Sequence, residues 1–183
     1  MTVSYSTDRS KFITGEFEMN KIPHGQAQRL TAPCPFGLVS TVKDDGSTNL
    51  MAVSWWCFLS NHPPMLGVCL SKKGLSGSLI EKNGEFTLNI PGESIKEAAL
   101  NCGRCSGRTV NKPVEFGIEL EDAEIVKAKL VSASRVAFEC KLVSINEAAD
   151  HVMYMAEIVA EHGDPEVNQL FAFDGYSRVD TVK

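Results

Sequence analysis

The sequence contains no apolar run near the roughly 20 residues that a membrane-spanning helix requires. Its first 20 residues are polar and mixed in charge, unlike the basic and then apolar opening of an export signal. A cytoplasmic protein with no membrane partner is expected. There is no long basic stripe, and the net charge is -5, so a nucleic-acid partner is not expected either. No Gly-x-Gly-x-x-Gly follows a strand-like run and no phosphate loop ends in Gly-Lys-Ser or Gly-Lys-Thr, which excludes a Rossmann-type nicotinamide site and a phosphate-loop nucleotidase. His24, His62 and His162 lack the spacing of metal ligands. No Ser/His/Asp or paired-carboxylate constellation stands out, so no metal site and no catalytic side chain is assigned. Six cysteines (Cys34, Cys57, Cys69, Cys102, Cys105, Cys140) are mostly scattered singly and read as reduced thiols. Only Cys102-Gly103-Arg104-Cys105 has redox or metal-ligand spacing, and it lacks the second pair of a structural zinc site.

What is present describes one globular domain. The 183 residues suffice for a single core, and 43% hydrophobic with 22% charged residues is ordinary for a folded chain. Strand-like runs recur at 37–43, 49–59, 65–71, 85–90, 118–130, 136–145 and 152–161, separated by turn residues such as Asp44-Asp45-Gly46. Val136, Phe138, Cys140 and Leu142 alternate with Ala137, Glu139 and Lys141, the period of an antiparallel strand with one buried face. Two helices are expected, 76–83 stopped by Gly84 and 94–101 opened by a Ser94/Glu97 capping box. The fold class is therefore mainly β, a β-barrel with a few helices.

The densest chemistry lies between Thr48 and Asn89. Asn49 to Trp56 mixes small, hydroxyl, amide and aromatic side chains, which suits a strand lying close to a flat ligand. Trp55 and Trp56 point to opposite faces of a strand, one free for a ligand or partner and one for the core. Ser71-Lys72-Lys73-Gly74-Leu75-Ser76-Gly77-Ser78 joins a strand to a helix start and has the makings of a phosphate site: two lysines, hydroxyl donors and unpaired helix N–H groups. The plainer alternative is that Ser76 or Ser78 is an N-cap and both lysines are solvated.

From 35 to about 161 the order of motifs resembles the flavin reductase-like family, whose FMN-binding split barrel includes the flavoredoxins. The matching pieces are Pro35 to Thr41 before an Asp-Gly turn, Asn49-x-Met51-Ala52-x-Ser54-Trp55, His62-Pro63-Pro64, the Ser71 to Ser76 linker and Gly84-Glu85-Phe86-Thr87-Leu88-Asn89. Cys102-Gly103-x-x-Ser106-Gly107-Arg108-x-x-x-Lys112 and His151-x-x-x-Met155-Ala156-Glu157-Ile158-Val159 follow. Family members often carry Arg and Thr where this linker has Lys73 or Gly74 and Ser76. Asn111-Lys112-Pro113 replaces the usual Asp-Lys-Phe, Ala156 stands where Gly is common, and Cys105 is an addition to the family's Cys-Gly.

The resemblance implies bound FMN along Asn49, Met51, Ala52, Val53, Ser54 and Trp55, with its phosphate near Ser71, Lys72, Lys73 and Ser76. Asn89, Cys102, Gly103 and Lys112 would close around it, and His151 would either reach the flavin edge or satisfy a core hydrogen bond. It further implies an NADH or NADPH donor, reduction of free flavin or another acceptor, and a homodimer; residues 1–33 form an N-terminal extension, and whether it crosses to the partner subunit stays open. The exposed-looking Trp55, Trp56 and Phe58 fit a subunit contact. Two alternatives stay open: an electron carrier that keeps FMN tightly and serves a protein partner, and a binding module without turnover.

Overall fold

The structure is a computed structural model and describes residues 19–182. Its elements are α1 (His24–Leu30), β1 (Cys34–Pro35), β2 (Gly37–Val42), β3 (Thr48–Val53), β4 (Trp56–Asn61), β5 (Pro64–Ser71), α2 (Leu75–Asn83) and β6 (Glu85–Pro91). There follow α3 (Lys96–Asn101), α4 (Lys112–Phe116), β7 (Leu120–Glu121), β8 (Leu130–Val131), β9 (Ser134–Ala148), β10 (His151–Gly163), β11 (Phe171–Phe173) and β12 (Arg178–Asp180). No helix among the described residues is long and apolar enough to cross a membrane.

Seven strands make one antiparallel sheet in the order β3-β2-β6-β9-β10-β5-β4. Its two edge strands, β3 and β4, are neighbours in the chain, separated only by Ser54 and Trp55. At under 4 Å per residue, so short a link joins opposite edges only if the twisted sheet has curled until they meet. The Trp55 carbonyl accepts the Cys69 N–H at 2.7 Å and fastens the link to β5. Closure by a chain crossing instead of a full ladder makes this a split barrel, as expected.

Strand β2 is buried on both faces, which explains its unbroken apolar run. Val39 faces the barrel interior with Leu66, Val68, Phe86, Leu88 and Phe138. Leu38 faces a second core with Phe36, Leu50, Leu100, Cys102 and Leu170, roofed by α3 and the small sheet β1-β11-β12. Each large apolar side chain so buried contributes about 1.5–3 kcal/mol. The second core fixes the outer face of β3, where the candidate site lies.

Several expectations need correction. The run 49–59 is two strands, because the barrel closes at its middle. Helix α2 ends at Gly84 as expected, with φ 69 in the left-handed region. The second helix does not use its capping box: a 3-10 turn at Glu93–Ile95 precedes α3, and no side chain caps either. Of the N-terminal extension 1–33, residues 1–18 lie outside those described, and α1 packs on the Asp174–Tyr176 turn.

The run 118–130 is not one strand. Only β7 and β8 form, and the chain between them is held by a wholly buried carboxylate on β9 that alternation had placed toward solvent. Glu139 accepts the N–H groups of Glu124, Ile125 and Val126 at 2.7, 2.7 and 2.9 Å, and His162 Nε2 lies 2.7 Å from its Oε1. Backbone groups that would otherwise seek a ladder are satisfied by this one side chain.

Burial raises the Glu139 pKa, but the three N–H groups and His162 outweigh it and hold the carboxyl below its ordinary 4.5. The contribution is therefore complete above the unfolded value and is lost as pH falls through the lower folded value. Glu139→Gln should cost about 1.5–3 kcal/mol at neutral pH, the range for hydrogen bonds to a charged group. Urea denaturation across pH should show the gap between the two proteins closing in acid; a gap absent at neutral pH would contradict the role assigned to Glu139.

Candidate functional site

Asn49 on β3 is buried, and its Nδ2 donates to Thr41 Oγ1 on β2 at 3.0 Å and to Ser76 Oγ in the first turn of α2 at 2.9 Å. Its Oδ1 sits beneath Gly107, where an added Cβ would come within 1.9 Å of it. Gly103 lies over Ala52 with more room, 3.2 Å between an added Cβ and that methyl. The turn 102–108 thus rests directly on β3 and encloses a groove between itself, β3 and the 71–76 linker.

This groove has a volume of about 460 Å³ and includes Asn49, Met51, Ala52, Ser71, Lys73, Ser76, Cys102, Gly103 and Lys112 in its lining. Past Met51, Ala52 and Ser71 it continues into a recess of about 220 Å³ walled by Val53, Trp55, Cys69, Leu70 and His151. Trp55 is half exposed and stacks on His151, the ring centroids 4.7 Å apart, while Trp56 packs edge-on to Phe58 and against Phe138 of the barrel core. The opposite-face expectation for the two tryptophans holds. His151 Nδ1 lies 2.8 Å from Asp150 Oδ1, and this contact lowers the Asp150 pKa.

Twelve of the fifteen sequence candidates line the groove or its recess. Three do not. Lys72 pairs with Glu147 at 2.6 Å, whereas Lys73, the next residue of the turn that follows β5 and is closed by Gly74 N–H on Ser71 O, lines the groove. Ser54 lines a separate cavity of about 320 Å³ beside Cys34 and α1. Asn89 is wholly buried: its Nδ2 donates to Leu38 O and Thr87 Oγ1, and its Oδ1 accepts Val131 N–H, which leaves it as a brace for β8.

The sequence reading missed Arg104 and Arg108, although Arg108 stood inside a quoted motif. Arg108 Nη1 donates to the Lys73 carbonyl at 3.2 Å and so bridges the turn and the linker. The lining contains the cations Lys73, Arg104, Arg108 and Lys112 and no carboxylate, in a chain of net charge -5. Helix α2 begins at Gly74 without a side-chain cap, because Ser78 Oγ donates to Leu75 O and Ser76 Oγ accepts from Asn49. The N-cap alternative for these serines is therefore not what forms.

Lys112 is buried and donates to Cys102 O at 2.5 Å; burial lowers its pKa, and the thiols of Cys102 and Cys105 partly offset this. Burial pushes the Cys102 thiol up to about 12 despite Lys112. The groove as a whole is lined by positive charge.

Residues 30–180 match the family described as flavin reductase like domain. The chain belongs to the flavin reductase-like family. An uncharacterised protein of Aquifex aeolicus is 30% identical over 131 residues, covering 68% of this chain and 67% of its own. The flavoredoxin of Desulfovibrio vulgaris (Miyazaki F) superposes with a TM-score of 0.79 at 26% identity, covering 90% of this chain and 94% of its own. The Streptomyces globisporus NADH:FAD oxidoreductase SgcE6 shares the fold at 15% identity and a TM-score of 0.79, covering 91% and 99%. The family match extends to both sides of the 35–161 stretch in which the motifs were recognised, and takes in β11 and β12.

Gly107 is the position where this flavin reductase-like groove tolerates least. Gly107→Ala should destabilise by about 1–3 kcal/mol, as overpacking does, because the new methyl must displace Asn49 or lift the turn. Gly25→Ala, with open space around it in α1, should be neutral or slightly stabilising. Chemical denaturation of both variants checks this; equal effects would contradict the close packing of the turn on Asn49.

Proposed function

We propose that the groove binds FMN and that the protein passes electrons from NADH or NADPH through FMN to free flavin or another acceptor. The observation that carries the reading is the lining itself: four cations and no carboxylate beside the start of a helix in an acidic chain. The donor set fits a phosphate monoester. Lys73 and Arg108 supply charge, and Arg108 is already oriented by its bond to Lys73 O. Ser76 Oγ accepts from Asn49, which leaves its own O–H to donate to an anion. The small residues Gly103 and Ala52, 3.2 Å apart from an added Cβ to the methyl, let the turn lie low over β3 and support a backbone wall close to a flat ligand.

FMN supplies hydride-accepting chemistry when bound. The chain's own residues bind, orient and enclose. Trp55 and His151 wall the apolar recess and limit water there, and Met51 and Ala52 form the floor common to groove and recess. No side-chain acid, base or nucleophile is required. The family's description as flavin reductase like favours turnover. The likeness to a flavoredoxin over nine-tenths of the chain supports a second reading, a carrier that retains FMN and serves a protein partner.

Exposed Phe58 and Leu59 on β4 with Val143 and Ile145 on β9 fit burial in a homodimer. Light scattering on the purified protein tests that state directly, and a monomer at working concentration would count against it.

Lys73→Ala with Arg108→Ala should weaken FMN binding about tenfold or more, since hydrogen bonds to charged groups are worth about 1.5–3 kcal/mol each. Riboflavin binding should change little, because only the phosphate is affected. Fluorescence titration of both ligands reads this, and equal losses for the two would overturn the phosphate assignment. Anaerobic addition of NADH, then NADPH, to the FMN-loaded protein separates the readings. Rapid bleaching of the flavin supports the reductase, and flavin that stays oxidised favours the carrier.

A further inference from the structure

The thiols of Cys102 and Cys105 take no part in holding a phosphate, yet both line the same groove. Helix α3 runs on past its end as a turn: Cys102 N–H donates to Ala98 O at 3.1 Å, Gly103 N–H to Leu100 O at 3.1 Å and Arg104 N–H to Asn101 O at 3.0 Å. Residues three apart on such a turn share one face with Cβ atoms about 5–6 Å apart, slightly more than a disulfide spans. Cys102 is buried and Cys105 partly exposed, its Sγ 3.6 Å from Asn101 O. Among the other thiols, Cys34, Cys57 and Cys69 sit singly on β1, β4 and β5.

The second observation is Lys112. Its ammonium is buried, bonds to Cys102 O, and the ionisable groups acting on it are the thiols of Cys102 and Cys105. A buried cation thus stands beside both thiols of the turn.

We propose that Cys102 and Cys105 are a dithiol that hydroperoxides close to a reversible disulfide, and that closing it weakens the groove's hold on its ligand. Cys105, the accessible member, attacks first. Its thiolate takes one peroxide oxygen, the O–O bond breaks, and the departing hydroxide leaves as water after taking a proton. The Cys102 sulfur then attacks the Cys105 sulfur, the S–O bond breaks, and the Cys102 proton leaves with the hydroxide as a second water. Two thiols and one hydrogen peroxide thus give one disulfide and two waters, with both electrons taken up by the peroxide; an added dithiol returns them. Gly103 and Arg104 lie between the two cysteines and line the groove, so drawing the sulfurs together moves a close contact to Ala52 and a cation that faces the ligand. The thiol chemistry stands without the FMN reading, whereas the effect on binding rests on it.

The test is peptide mass mapping of the reduced protein after one equivalent of hydrogen peroxide, with free thiols then alkylated. The expected result is a Cys102–Cys105 link, two fewer alkylated thiols and full reversal by dithiothreitol. In Cys102→Ser, dimedone should trap a sulfenic acid at Cys105. Six alkylated thiols, or first oxidation at Cys57, would overturn the proposal. FMN titration of the same two forms should show about tenfold weaker binding after oxidation. Equal affinity would overturn the effect on the groove. A mapped link in a protein that binds FMN in neither form would uphold the dithiol while removing the FMN reading and its consequence.

Discussion

One amide, that of Asn49, joins the barrel to the elements that make the groove. Its Nδ2 ties β3 to β2 through Thr41 and to the first turn of α2 through Ser76. Its Oδ1 supports the turn at Gly107, where no Cβ fits. Buried polar groups are costly unless satisfied, so the interior admits essentially one arrangement of strand, helix start and covering turn. The spacing of the groove walls follows from that arrangement. Lys73 enters the groove because the linker it sits on must deliver Ser76 to Asn49.

Electrostatics then gives the groove its chemical preference. Lys73, Arg104, Arg108 and Lys112 come from the linker, the turn and α4, so their convergence is a product of the fold and not of a basic stretch of chain. Acidic residues outnumber basic ones in the sequence, 23 to 18, but are absent from the lining. Lys112, the buried member, loses hydration, which lowers its pKa, and a bound anion would offset that loss. The recess behind Met51 differs in kind, with Trp55 and Leu70 offering apolar surface. A ligand with an anionic end and a flat end suits the pair.

Much of this was legible in the sequence because it is local. Alternation along 136–145 put Phe138 and Cys140 in the core, and Gly84 announced the left-handed end of α2. The ordered motifs pointed to β3 and the linker, which the structure brings together in the candidate groove. What was not legible depends on contacts between distant residues. Glu139 read as an outward-facing strand residue, yet it gathers three backbone N–H groups from 124–126 and so prevents the strand expected at 118–130. Asn89 stood in a family motif, but Val131 N–H claims its amide oxygen. Lys72 and Lys73 are chemically equal in sequence, and only the turn after β5, with Glu147 as neighbour of Lys72, separates them. Arg104 was passed over because its place in the groove depends on how closely Gly103 packs on Ala52.

The central claim is that the anionic end of a flavin lies between the start of α2 and the turn 102–108. A crystal structure of the protein grown with FMN tests it most directly. The account predicts the phosphate within hydrogen-bonding distance of Ser76, Lys73 and Arg108, with the ring system over Met51 and Ala52 toward Trp55. A phosphate found outside this groove, or crystals free of flavin at saturating FMN, would contradict it.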